Sequence, residues 1–534
     1  MGTTGIRSLA TDIPVAGIVA GRPALAAPGT TFHGRDVTRG TDLAITFADA
    51  ATSEADTAAR AASEAFFAVQ TTESTLRPEA LVRELADALE GRRPELVEIA
   101  GIETGLSAER LNSELSRTTG QLRLLGAEAA GRSGVAAESD PRGAEGFAPA
   151  LALGHVPVGP VAVFGASNFP FAFGVLGGDT AAALAAGCPV VAKGHPAHPE
   201  TSQLLAAIAT RVLADAGWPA GWFSLLHGRE TAIGLALVEA AGISAVAFTG
   251  STRGGLALVA AAAARPVPIP VFAELGGINA LYLLPAAAAE AAFANDAKAE
   301  ATSGTSAFVT GLAQSITGGS GQFCTKPGLL VIVDDEAGRQ IVSELSRALS
   351  GVASPPLLTP DILTGLRAGV DRLRGLPWVE VILGGPSDDT AAADRVPSFL
   401  ATVTSGVLRE DPSITDELFG PAVVVVYCES VDDLIEVAQV IPGGLTATIH
   451  AAPAEAGSAS ALLRRLRLRA GRVLFGGFPT GVRVGRATTH GGPFPATSSP
   501  ATTSVGVRAI DRFLRPVTYQ DLPDDLRERA LSWN

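Results

Sequence analysis

Sulfur is scarce in this chain of 534 residues, which has one methionine and three cysteines, Cys188, Cys324 and Cys428. An odd, sparse cysteine set argues against a disulfide framework and for a reducing compartment. Aromatic residues make up only 5%, so the cores must be built mainly from Ala, Val, Leu and Ile. No sustained basic block offsets a formal net charge of −14, which argues against nucleic-acid binding. The short basic run from Arg464 to Arg469 reads as the solvated face of a helix. Met1 to Ala20 lacks a basic start followed by an apolar run, so no signal peptide is evident. The longest stretch without Asp, Glu, Lys or Arg, Gly146 to Gly178, is broken by Pro149, Pro157, Pro160 and Pro170. Such breakers fit buried strand and turn rather than a membrane helix. The expectation is a cytoplasmic protein with no membrane partner.

What is present is apolar and patterned. Hydrophobic residues are 47% and charged residues 18%, the balance of a large enzyme with more than one core. Residues from about Leu43 to Ala130 look helical, with a start at Ser53 to Asp56 and further helices at Pro78–Glu90 and Ser107–Ala130. Gly131 to Gly146 is polar and Gly-rich, a boundary or excursion. From Gly159 onward, apolar strands alternate with helices. Strands are expected at 160–165, 189–193, 222–226, 245–248 and 269–274, which predicts a parallel doubly wound sheet of the kind that binds dinucleotides. Further strands are expected at Leu329–Val333 and Ala422–Tyr427. There is no repeat period.

Five positions could carry chemistry. Cys324 follows Gly318-Gly319-Ser320-Gly321, and glycines allow close backbone approach and free N–H groups beside a nucleophile. Its alternative is a small buried hydrophobe, the reading that suits Cys188 and Cys428. Glu274 ends an apolar strand, where parallel sheets place their sites, and partial desolvation would raise its pKa toward that of a working base. Its alternative is an ion-paired or capping Glu. Asn168, just after a strand, could donate to an oxyanion or simply shape a turn. Gly250-Ser251 ends a strand and caps a helix, an anion site. No GxGxxG supports it. Lys193 closes a strand and could reach a ribose or phosphate, or be an ordinary surface lysine.

In combination these residues gain specificity. The order Asn168, Lys193, Gly250-Ser251, Glu274-Leu275-Gly276-Gly277, Cys324 and Glu417-Leu418-Phe419-Gly420-Pro421 resembles the aldehyde dehydrogenase superfamily, over nearly the whole chain. The segments VAVFGASNFPFAF, AKGHPAHPETS, PVFAELGGIN, GQFCTKPG and HGGPFPATS look like its α-ketoglutaric semialdehyde (2,5-dioxovalerate) dehydrogenase branch. NADP-dependent fatty-aldehyde dehydrogenases share the AKGHPAHP-type segment and are the nearest rival. A catalytically silent binding or structural relative is the rival of another class, against which stands the joint retention of Cys324, Glu274 and Asn168.

The resemblance implies an α/β fold with a Rossmann-like cofactor domain (1–130 and 159–272), an α/β catalytic domain (273–475), and a small β oligomerisation flap with the C-terminal segment (131–158 and 476–534). It implies Cys324 as nucleophile, Glu274 as the base for thioester hydrolysis, and Asn168 as an oxyanion donor. The base favours hydrolysis over transfer to coenzyme A. Lys193, His195, Gly228, Gly250, Ser251, Glu417 and Phe419 would hold the cofactor. Pro196 stands where NAD-preferring members often carry Glu, so NADP is expected, with NAD possible. On the helix from Ser107, Arg117 and Gln121 are i,i+4 neighbours. Arg117 is expected to clamp a substrate carboxylate, and Phe169, Phe173, Phe478 and Val482 to shape the apolar wall. No metal is expected. Flaps of this kind imply a homodimer or homotetramer.

Overall fold

In a computed structural model of the chain, residues 14–72, 75–142, 149–293, 306–391 and 394–532 are described. Much of Met1–Ala20, and part of Gly131–Gly146, lie outside them.

Two sheets dominate. The first joins strands Val271–Glu274, Ala245–Thr249, Val161–Phe164, Val190–Lys193 and Phe223–Leu226, in that spatial order and all parallel. Strands Ile18–Val19 and Arg22–Pro23 extend it antiparallel at one edge. These strands are short and almost wholly buried, as expected of a parallel sheet covered on both faces by helices. The order reverses beside Val161–Phe164. Its neighbours are the next strand in sequence on one side and Ala245–Thr249 on the other. A crevice opens at the carboxyl ends of strands at such a switch point, and Asn168, Gly250 and Ser251 all follow those ends.

The second sheet runs Glu380–Gly384, Phe399–Thr404, Ala422–Cys428, Pro327–Val333, Asn279–Leu283, Gly444–His450 and Ala470–Phe475. Only the first of these is antiparallel to its neighbour. A third, antiparallel sheet joins Leu514–Gln520, Leu151–Pro157 and Glu138–Asp140. It draws its strands from the two segments expected to make the flap.

The first-sheet strands and most helices lie where the apolar pattern puts them, with one correction near the N-terminus. Leu43–Ala50 is not helical: Thr41–Ala50 is a strand paired antiparallel with Ala26–Asp36. Ile45, Thr46 and Phe47 prefer extended backbone, and this outweighs the flanking alanines. Within the stretch expected to be helical, Arg93–Thr104 forms a separate helix that Pro94 opens and Gly105, at φ +67°, stops.

The C-terminal segment also does more than build a flap. Before reaching the third sheet it returns across the mouth of the first, where Thr497 bridges to Glu274. Among the described residues no helix is long and apolar enough to cross a membrane.

Candidate active site

Cys324 sits at the end of a backbone turn that few residues tolerate. Gly319, Ser320 and Gly321 all have positive φ, between 56° and 69°. A Cβ at Gly321 would lie 2.2 Å from the Gly420 backbone. Ser320 bears its left-handed conformation while its hydroxyl donates to Pro355 O at 2.9 Å. Asn279 holds the far side of the turn: its amide donates to Cys324 O at 2.8 Å and Lys326 O at 3.1 Å. Asn168 holds the near side, donating to Gln322 O at 2.8 Å. A primary amide has two hydrogens, so one N–H of Asn168 is committed to this brace and the other remains for a ligand. The structure thus brings Cys324, Asn168 and Glu274 to one place.

A residue not anticipated from the sequence completes the group. His490 Nε2 lies 3.0 Å from Glu274 Oε1 and 3.6 Å from Cys324 Sγ. Ser504 Oγ donates to Glu274 Oε2 at 2.7 Å. His490 is itself fixed, because its N–H donates to Thr503 Oγ1 at 2.8 Å. All three come from the returning C-terminal segment. The HGGPFPATS string contains His490, but nothing in its local pattern shows which way the ring faces.

This partner changes the electrostatics expected of Glu274. Burial raises its pKa, as anticipated. The opposing His490 charge and the hydrogen bonds from His490, Ser504 and Cys324 outweigh burial, and the carboxyl is held below its ordinary value. Burial and the neighbouring Glu274 carboxylate push the Cys324 thiol well above its ordinary value. The resting pair is therefore a thiol facing a carboxylate. Lys326, near in sequence, is no partner for the thiol: its ammonium donates to Ala422 O at 2.6 Å.

A cleft of about 210 Å³ leads to Cys324, lined among others by Arg110, Arg117, Phe169, Phe173, Val482 and His490. Arg117 lies 5.2 Å over the Phe173 ring. Its Nε and Nη2 are sealed from solvent and have no hydrogen-bond partner. Arg110, not singled out from sequence, stacks 4.4 Å over Phe169 and 4.7 Å over Phe323. It stands 3.5 Å from the buried Glu114. Two residues expected on the substrate side, Gln121 beside Arg117 and Phe478 in the apolar wall, lie elsewhere. Gln121 is one turn beyond Arg117, where its buried amide abuts Gly178. Phe478 packs on Phe308 and His450. The i,i+4 spacing shared a helix face correctly, but that face leaves the cleft within one turn as it passes under the helix Gly178–Ala185.

The residues assigned to a dinucleotide line the crevice side. Ser251 caps the helix Thr252–Ala263, accepting from Gly254 N at 3.2 Å. Gly250 donates its N–H to Glu274 O at 3.1 Å, and a Cβ there would meet the Phe248 ring at 2.6 Å. Thr249 Oγ1 is buried without a partner. A Cβ on Gly276 would sit 2.2 Å from Glu417 Oε2, so only glycine leaves Glu417 its place. Burial raises Glu417 to about 7, opposed by Lys326 and the Gly277 N–H. Phe419 is partly exposed in the same turn. Burial lowers Lys193 to about 8, against the pull of Asp49. His195 accepts from Ala197 N at 3.1 Å. Burial, with His198 and Lys193 near, holds its ring well below the ordinary value. It is uncharged at neutral pH and adds no positive charge toward a phosphate, contrary to expectation. Gly228 is buried, with room for no Cβ beside Ile233.

Comparison with known proteins agrees with this arrangement. Residues 37–492 match the model of the aldehyde dehydrogenase family. The chain is 42% identical over 515 residues to α-ketoglutaric semialdehyde dehydrogenase 2 of Azospirillum brasilense, covering 96% of this chain and 95% of the relative. It is 39% identical over 490 residues to α-ketoglutaric semialdehyde dehydrogenase of Acinetobacter baylyi, covering 90% of each. In fold it resembles a Thermus 1-pyrroline-5-carboxylate dehydrogenase solved with bound NAD, with TM-score 0.78 and 20% identity over 95% of this chain and 92% of that one. A strand order that reverses at a crevice, a cysteine braced over a buried glutamate, and a family match spanning most of its length together make this chain a member of the aldehyde dehydrogenase family.

Proposed function

We propose that the chain oxidises α-ketoglutaric semialdehyde to α-ketoglutarate, with Cys324 as nucleophile, Glu274 as base and NADP as the preferred cofactor. The observation that carries the substrate is Arg117. A guanidinium with two nitrogens, three N–H bonds, sealed from water and without a hydrogen-bond partner among the described residues is costly unless an anion arrives to add to the attraction of Glu114. A semialdehyde with a distal carboxylate supplies that anion and points its carbonyl at Cys324.

The residues divide the work as follows. Glu274, ionised and hydrogen-bonded to the thiol, takes its proton as Sγ adds to the carbonyl carbon. His490 holds Glu274 in position through Nε2. The free N–H of Asn168 and the backbone N–H of Cys324 meet the developing oxyanion, where one donor is worth about 3 kcal/mol. A nicotinamide cofactor bound beside Cys324 would supply the hydride acceptor that turns the cysteine adduct into a thioester. Once that first proton has passed to solvent, Glu274 draws a proton from water, which attacks the thioester and releases the acid and the Cys324 thiolate.

The cofactor fits the crevice. Glu417 over Gly276 would take the nicotinamide ribose, with Phe419 beside the ring. The capped helix at Ser251, with Gly250 and Gly228, would face the pyrophosphate. Lys193 would meet the adenosine ribose. Pro196 brings no carboxylate to repel a 2′-phosphate, so Lys193 favours NADP. The three-stranded flap supports a homodimer or homotetramer.

The test is a matrix of rates. α-Ketoglutaric semialdehyde should exceed a long-chain aldehyde in kcat/KM, and NADP should exceed NAD. In Arg117→Ala, KM for the semialdehyde should rise roughly tenfold or more, the worth of one charged hydrogen bond, with little change for an uncharged aldehyde. An unchanged KM rejects the assignment of Arg117.

A further inference from the structure

Three donors of different chemistry converge beside the cleft. Cys324 Sγ is 3.6 Å from His490 Nε2, and His490 Nε2 is 3.0 Å from Glu274 Oε1. All three ligand atoms lie within 4.8 Å of one another. Zinc binds sulfur at about 2.3 Å, and nitrogen or oxygen at about 2.0–2.2 Å, in a tetrahedron. Its ligand atoms then sit roughly 3.3–3.6 Å apart, near the separations already present. We propose that Cys324, His490 and Glu274 form an inhibitory binding site for Zn²⁺, with the fourth position open to water in the cleft.

The site is braced as metal sites are. Ser504 fixes the second oxygen of Glu274, and Asn279 and Asn168 fix the backbone around Cys324. Outer partners of this kind set ligand orientation. Binding is a simple exchange. Zn²⁺ displaces the Cys324 thiol proton and the His490 Nε2 proton to solvent, sulfur–zinc and nitrogen–zinc bonds form, and the ring keeps its proton on Nδ1. Nothing is oxidised or reduced. A thiolate and an imidazole select Zn²⁺ over Mg²⁺, which prefers oxygen ligands and keeps its water. Arg110 and Arg117 oppose a cation, so the site is weaker than a structural zinc centre and reversible. A bound ion occupies the sulfur lone pair and the carboxylate together, which stops both attack and hydrolysis. Binding rests on the geometry alone; its effect on turnover rests on the proposed aldehyde-oxidising function.

Two measurements that need no turnover test it. Alkylation of Cys324 by iodoacetamide, read by mass spectrometry, should slow strongly with one equivalent of Zn²⁺. It should recover with EDTA and be unaffected by Mg²⁺. Cobalt(II) should give a thiolate charge-transfer band that Cys324→Ala abolishes. His490→Phe should weaken Zn²⁺ binding in equilibrium dialysis by on the order of a hundredfold. If that variant fails to fold, Glu274→Gln takes its place with the same expectation. Unchanged alkylation with Zn²⁺, or zinc retained at full affinity in Cys324→Ala, overturns the site. Inactivity toward every aldehyde, with zinc protection intact, would reject the function and leave the site standing.

Discussion

Glu417 shows how one residue's surroundings set a pH dependence. Burial lifts its pKa to about 7, and Lys326, itself lowered to about 8, pulls against that lift. Below about pH 7 the carboxyl keeps its proton, and above it the carboxylate is free to accept two ribose hydroxyls. Cofactor affinity should therefore rise between pH 6 and pH 8. The Glu417→Gln variant should bind more weakly at pH 8 and lose most of that slope, measured as the cofactor's Kd by fluorescence titration. A wild-type Kd flat across this range would contradict the role. Cys324 was legible in the sequence from the glycines before it, Glu274 from its place at the end of an apolar strand, and Glu417 through the family resemblance. His490 was not. It lies in a stretch of glycine, proline and threonine without apolar period, and only the tertiary return of that stretch aims its ring at Glu274. The expected rise in the pKa of Glu274 failed for the same cause: burial was predictable, its neighbour was not.

The Gly318–Gly321 turn is the element on which the nucleophile depends. Its last glycine combines φ +69° with a 2.2 Å approach to the Gly420 backbone. Gly321→Ala must shift one of two packed backbones, and strain of this kind costs of order 1–3 kcal/mol. Thermal unfolding should fall by a few degrees. Turnover should fall much further, because a displacement of about 1 Å at the sulfur costs on the order of a hundredfold. Stability lost without disproportionate loss of kcat would show that the turn does not position Cys324. Elements of the parallel sheet were readable because buried strands are short apolar runs between turn residues. The strand Thr41–Ala50 was misread as helix because alanine-rich edges mask its β-branched and aromatic centre. The helix carrying Arg117 was found with its cap, yet periodicity could not say where its face leaves the cleft, and so Gln121 was placed one turn too hopefully.

For the whole molecule, the flap is the feature that looks outward. Glu138–Asp140 is a fully exposed strand at the edge of the three-stranded sheet. An unpaired edge offers a row of hydrogen-bonding groups to another copy. Ser139→Pro removes one donor there and should lower the particle mass seen by light scattering, while the Cys324 alkylation rate stays the same. An unchanged mass would put the subunit contact elsewhere.

The backward path of the C-terminal segment has a consequence for how the protein comes into being. Ser504 and His490 lie 230 and 216 residues after Glu274 in the chain, so the carboxylate leaves the ribosome long before either partner. A chain interrupted between Cys324 and His490 would hold its cysteine and glutamate without their keepers.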